Sequence, residues 1–198
     1  MQPQSQGIEP ESQEIERLTW PIKLTWEDYV ELPEDGRRYE IIDGELYVSP
    51  SPRPLHQRVL FRLAEQLRAG LDARGLGETF IAPLDVLFGV HDIMQPDILF
   101  VRRDRLNIVD EENVKGIPDL VVEIISPKKR RRDAVVKARA YARLGVPVFW
   151  LVDPELERLE VSLLVDGRFD QAIVRRRPES YEPREFPGLV VDLEKLFA

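Results

Sequence analysis

No cysteine occurs among the 198 residues, which excludes disulfides, thiolate catalysis and zinc held by sulfur, and fits a reducing compartment. Histidine is nearly as scarce, since His56 and His91 alone cannot build a multi-histidine metal centre. No apolar run approaches the ~20 residues that cross a bilayer. The polar start, Met1 to Glu16, has neither the basic nor the apolar region of a signal peptide. These absences predict a soluble, cytoplasmic protein. A surplus of positive charge is missing too: the formal net charge is −8, which argues against a large, uniformly basic nucleic-acid surface. There is no internal repeat, no glycine-rich phosphate loop and no Ser/His/Asp spacing of hydrolase character.

What is present suffices for one core, because 43% of the residues are hydrophobic. Residues 1–17 are rich in Gln, Glu, Ser and Pro and read as a disordered acidic tail, leaving 18–198 as a single domain. Thr25 before the acidic turn Trp26–Tyr29 predicts a short capped helix. Arg38 to Val48 reads as a hairpin turning at Asp43-Gly44, with Glu40 and Ile42 on one face. The connector Ser49 to Pro54 cannot be helical. Val59, Leu60, Leu63, Leu67 and Leu71 then keep helical spacing, with His56 in line with them. Phe80–Phe88 and Asp97–Val101 read as two strands joined by residues 89–95, and Arg102 to Gly116 as a charged loop. A helix from Asp133 to Leu144, a strand Val148–Asp153, a second Asp-Gly hairpin at Asp166-Gly167 and a short terminal helix complete the chain.

Pro118 to Pro127 organises the rest. It is an apolar run with one carboxylate, Glu123, in its middle, and it reads as a strand covered on both faces. A buried carboxylate must find a cation, a metal or a proton. Strand, helix and strand here make a βαβ unit with two parallel strands. Lys137 falls on the inward stripe of that helix with Tyr141 and Leu144. Asp97 heads one strand, Glu123 lies inside the next and Lys137 is on the following helix. Such a set can hold a hard divalent ion and a water, and Mg²⁺ suits two acidic ligands without histidine or thiolate. The lysine could orient or deprotonate the attacking water, provided its pKa is lowered. The bland alternative, equally weighted on these residues alone, is a buried Glu123–Lys137 ion pair with Asp97 as a strand-end cap. For His56 a hydrogen-bonded core role is the ordinary reading, and Asp133, Asp119 and Asp153 have capping roles available. Asp85 faces either the site or the opposite layer. The run Lys128 to Arg132 reads first as a solvated loop and second as a phosphate contact.

The order of helix, strand, Pro96-Asp97, strand with Glu123, helix and strand resembles the PD-(D/E)XK nuclease core. More narrowly, Tyr39 to Glu45, Pro96-Asp97, Pro118 to Pro127, Asp133 with Lys137, and Gly145 to Pro154 resemble the Uma-type restriction-endonuclease family of bacteria. The likeness runs from about Leu24 to Val174. It implies an α/β (α+β) fold, restriction-endonuclease-like, with a mixed central sheet flanked by helices and β-hairpins toward both ends. It further implies Asp97 and Glu123 as metal ligands for Mg²⁺ or Mn²⁺, Lys137 as catalytic lysine and Glu40 as a further acidic group of the catalytic set. The family's lysine two residues after the glutamate is replaced by Ile125, so its function would have moved to Lys137. The expected activity is DNA hydrolysis, on double-stranded DNA, by a homodimer whose two sites cut antiparallel strands. The alternative is a non-catalytic descendant that binds nucleic acid or protein.

Overall fold

The computed structural model describes residues 16–18, 22–49, 51–125 and 131–198. In chain order the elements are β1 (Glu16–Leu18), α1 (Trp26–Tyr29), β2 (Arg38–Ile42), β3 (Glu45–Ser49), α2 (Pro54–Gly70), β4 (Gly77–Ile81), β5 (Val86–Gly89), β6 (Asp92–Met94), β7 (Ile98–Arg102) and β8 (Val114–Lys115). They continue with β9 (Leu120–Ile124), α3 (Arg131–Leu144), β10 (Val148–Asp153), β11 (Arg158–Val165), β12 (Arg168–Phe169), β13 (Ile173–Arg176), β14 (Ser180–Tyr181), β15 (Val191–Asp192) and α4 (Leu193–Leu196). Among the described residues, no helix is long and apolar enough to cross a membrane.

Two sheets organise the molecule. The larger is ordered β12-β11-β10-β9-β7-β4, with β13 also on β11, and the smaller is ordered β1-β3-β2-β6-β5-β8. Within the larger sheet β9 and β10 pair in parallel, joined through α3 as a βαβ unit, whereas β7–β9 and β10–β11 are antiparallel. The mixed sheet flanked by helices is therefore as expected. Both Asp-Gly turns take the left-handed backbone that a two-residue hairpin requires, with φ of 52° and 79° at Asp43-Gly44 and 48° and 75° at Asp166-Gly167.

The smaller sheet departs from the sequence reading. Phe80–Phe88 is not one strand: β4 ends at Ile81 in the larger sheet, and β5 begins at Val86 in the smaller. Pro83 lies in the gap, where a residue without an N–H cannot continue a ladder. The segment read as a connection contains β6, which joins β2 to β5. Part of the segment read as a loop is a 3₁₀ helix, Arg103–Ile108, and β8 follows it. At the N-terminal end, Glu16–Leu18 pairs antiparallel with β3, and residues 1–15 of the acidic tail lie outside the described residues.

Side-chain alternation decides which face of β9 does what. Leu120, Val122 and Ile124 join Val148, Trp150 and Val152 of β10 in a core under α2, contributed there by Val59, Leu60, Leu63, Ala64 and Leu67. Each such fully buried aliphatic side chain contributes roughly 1.5–3 kcal/mol. On the opposite face Val121 and Phe149 pack with Ala140 and Tyr141 of α3, and with Ile42 and Met94 of the smaller sheet. Glu123 shares the face of Val121, where the larger sheet, the smaller sheet and α3 meet.

Candidate active site

The structure brings Glu40, Asp97, Glu123 and Lys137 into one cluster. All four are buried, between 0% and 6% exposed. Lys137 reaches from α3 to Glu40 Oε1 at 2.8 Å and to Glu123 Oε1 at 3.0 Å. Glu40 Oε2 is also 2.8 Å from the amine, without hydrogen-bond geometry. Arg38, two residues before Glu40 on β2, donates to Asp97 Oδ1 at 2.9 Å and places Nη2 3.8 Å from Glu40 Oε1. The groups thus form an alternating chain of charge: Asp97, Arg38, Glu40, Lys137, Glu123. Both ends of that chain are acidic. Both line one recess of about 420 Å³, together with Arg38, His56, Gln95, Ile125, Asp133 and Lys137.

Each acidic group is held by specific donors. Asp97 Oδ2 accepts the Ile124 amide of β9 at 2.8 Å and lies 3.1 Å from His56 Nε2. Glu123 Oε1 accepts the Tyr141 hydroxyl at 2.6 Å. Glu40 Oε1 accepts the Gln95 amide at 2.8 Å. Gln95 in turn donates to Asp85, which also accepts the Tyr29 hydroxyl. Asp85 therefore supports the site through Gln95 and does not touch the cluster.

The protonation states follow from burial against charge. Burial opposes ionisation of Asp97, but the His56 hydrogen bond and the Arg38 charge outweigh it and hold the carboxyl well below its usual range. Glu123 goes the other way. Burial, reinforced by the like charges of Asp97 and Glu40, pushes it up to about 7 despite Lys137. Burial also works against the charge on Lys137, yet Glu123 and Glu40 raise its pKa above the ordinary value. A lysine poised as a base would need a lowered pKa. Lys137 in this arrangement is held as a cation between Glu40 and Glu123, which favours orienting the water over taking its proton.

The remaining sequence candidates are placed as follows. His56 is a buried, hydrogen-bonded histidine whose partner is Asp97. Asp133 sits in the first turn of α3 and lines the recess. Asp119 accepts the Arg102 amide and the Arg105 guanidinium, and Asp153 accepts the amides of Glu155 and Leu156. Both serve as caps. Of the basic run, Lys128 to Arg130 lie outside the described residues, and Arg131 and Arg132 begin α3. Sequence reasoning missed Arg38 and the polar role of Tyr141. The signals existed: strand alternation that groups Glu40 with Ile42 also includes Arg38, and Tyr141 lies one helical turn from Lys137.

The donor set can be tested against a divalent cation. Among the described residues, no three His, Cys, Asp or Glu groups converge to hold a metal ion. The carboxylates of Asp97, Glu123 and Asp133 line the recess, and among the described residues the hydrogen bonds to Glu123 fall on Oε1 and none on Oε2. Burial first, and then the like charges of Asp97 and Glu40, raise Glu123, and a cation between Asp97 and Glu123 would offset the repulsion. The set fits an ion that keeps several waters, as Mg²⁺ does, and does not fit an all-protein cage.

The mixed sheet with its flanking helices has a counterpart of known structure. The chain is similar to a protein from Anabaena variabilis described as a putative nuclease belonging to DUF820, with a TM-score of 0.73, 20% identity, and coverage of 88% of this chain and 97% of that one. That likeness shows a shared fold. The family model described as Uma2, putative restriction endonuclease, matches residues 26–194, and the chain belongs to this family. A comparison with curated proteins finds no match.

Proposed function

We propose that this member of the Uma2 family is a metal-dependent nuclease of the PD-(D/E)XK type that hydrolyses DNA phosphodiester bonds. The observation that carries the reading is the alternating chain of charge, whose two acidic ends, Asp97 and Glu123, open on one recess. A cation there would close the chain. Asp97 and Glu123 would hold Mg²⁺ or Mn²⁺, which when bound supplies Lewis acidity toward a phosphoryl oxygen. Lys137 commits two of its three N–H donors to Glu123 and Glu40, leaving one to orient the attacking water or meet a phosphate oxygen. Glu40 keeps that amine charged and fixed. Its hydrogen bond from the Gln95 amide fixes Glu40 in turn. Lys137 thus occupies from α3 the role that a lysine at Ile125 would have filled. On double-stranded DNA the working form would be a homodimer, because antiparallel strands need two sites about a twofold axis.

The experiment is cleavage of plasmid and linear duplex DNA by purified protein in Mg²⁺ or Mn²⁺. Wild type should cut both, and Glu123→Ala should slow cutting by about a thousandfold, the scale expected when a group that stabilises developing charge is removed. Equal cleavage by the two proteins would defeat the reading. Light scattering with and without duplex checks the dimer.

A further inference from the structure

The two ligand carboxylates of the proposed function differ in what they have left to offer. An ionised carboxylate has about four lone-pair sites. On Asp97, Oδ2 takes the Ile124 amide and His56 Nε2, and Oδ1 takes Arg38. A carboxylate that binds a cation is ionised and can only accept, so in that state His56 donates through Nε2. Oδ2 is then filled, and a single site remains on Oδ1. On Glu123, Oε1 takes Lys137 and the Tyr141 hydroxyl and is filled as well. Among the described residues, no hydrogen bond reaches Oε2.

We infer that His56 and Tyr141 are positioning residues that choose the cation: each closes one oxygen of a ligand carboxylate, so that Asp97 and Glu123 can ligate only through Oδ1 and Oε2 respectively. The inference rests on the reading that a cation binds between these two groups. Its consequence is selectivity. Ca²⁺ takes about 6–8 oxygens in loose geometry and gains from carboxylates that bind through both oxygens, whereas Mg²⁺ accepts single-oxygen ligands in a tight octahedron completed by water. A site in which neither carboxylate can turn both oxygens to the ion disfavours Ca²⁺. It costs Mg²⁺ or Mn²⁺ little.

Two features make the pair testable. Tyr141 packs its ring against Phe149 and Phe88 at centroid distances of 5.5 Å and 5.6 Å, so Tyr141→Phe removes the hydroxyl and keeps the packing. His56 can be replaced by Gln, whose amide can still donate to Oδ2, or by Leu, which cannot.

The measurement is Mn²⁺ and Ca²⁺ affinity of the full chain without DNA, by calorimetry and by competition against the Mn²⁺ electron-spin signal. Wild type should prefer Mn²⁺ by about tenfold or more. Tyr141→Phe and His56→Leu should each gain Ca²⁺ affinity and cut that preference by about tenfold, and His56→Gln should preserve it. A purely structural role would weaken both ions in parallel, so unchanged ratios in Tyr141→Phe and His56→Leu, with wild type still preferring Mn²⁺, would overturn this inference alone. A wild type that binds neither ion would overturn the metal reading and this inference with it.

Discussion

The two faces of β9 are built on opposite principles. Toward α2, Leu120, Val122 and Ile124 enter a layer made wholly of apolar side chains, and that layer stabilises the fold in proportion to the area removed from water. Toward α3, Glu123 enters a chain of five charged groups, four of them buried and the fifth, Arg38, partly so. Buried ion pairs return little net stability against apolar replacements of similar shape, because desolvation offsets the Coulombic gain. The contrast teaches that one strand can separate stability from chemistry by side-chain alternation alone. It also explains why the charged face is the expensive one to break: removing one member strands its partners without water.

Three substitutions press on that contrast. Lys137→Ala should have the largest effect on folding, about 3–5 kcal/mol at pH 8, since it leaves Glu40 and Glu123 buried without their shared cation. Urea titration reads the loss, which should shrink at pH 5, where Glu123, raised to about 7, is protonated. A loss below about 1 kcal/mol would mean that the cluster relaxes to admit water. On the apolar face Leu63→Ala should cost about 2–5 kcal/mol, and equally at both pH values, as it packs in the apolar cluster under α2. A pH-dependent loss there would break the separation. Glu123→Gln should be the mildest. Because the folded pKa of Glu123 is raised, the stability it contributes is full below its ordinary value of 4.5 and is lost as pH rises through about 7. The glutamine variant should therefore gain on wild type by about 2–3 kcal/mol between pH 5 and pH 8, seen as a melting temperature that falls less with rising pH. The reverse slope would show that Lys137 outweighs burial.

The sequence made some of this plain and hid the rest for physical reasons. Asp43-Gly44 and Asp166-Gly167 announced both hairpins because few residue pairs accept positive φ. A carboxylate inside the apolar run at Glu123 announced a partner, and helical spacing from Leu144 back to Lys137 pointed to it. The smaller sheet was not legible. Its strand β6 is three residues long, too short to show a period, and the apolar pattern of Phe80–Phe88 runs on across Pro83 although the backbone changes sheets there. Arg38 escaped because a charged residue at a strand's start usually faces water, and only the tertiary position of Asp97 buries its tip. Distances between elements, which pair Asp97 with His56 across 41 residues, are a property of packing and leave no local trace.

Lys137 has a second consequence that concerns assembly. Its amine joins Glu40 of the smaller sheet to Glu123 of the larger one, and it comes from the helix that covers both. A lysine on β9 itself would arrive with its own strand. Held on α3, it meets both carboxylates only after two sheets and a helix have docked, so the complete charge chain is a signature of the finished molecule and is absent from any half-assembled one.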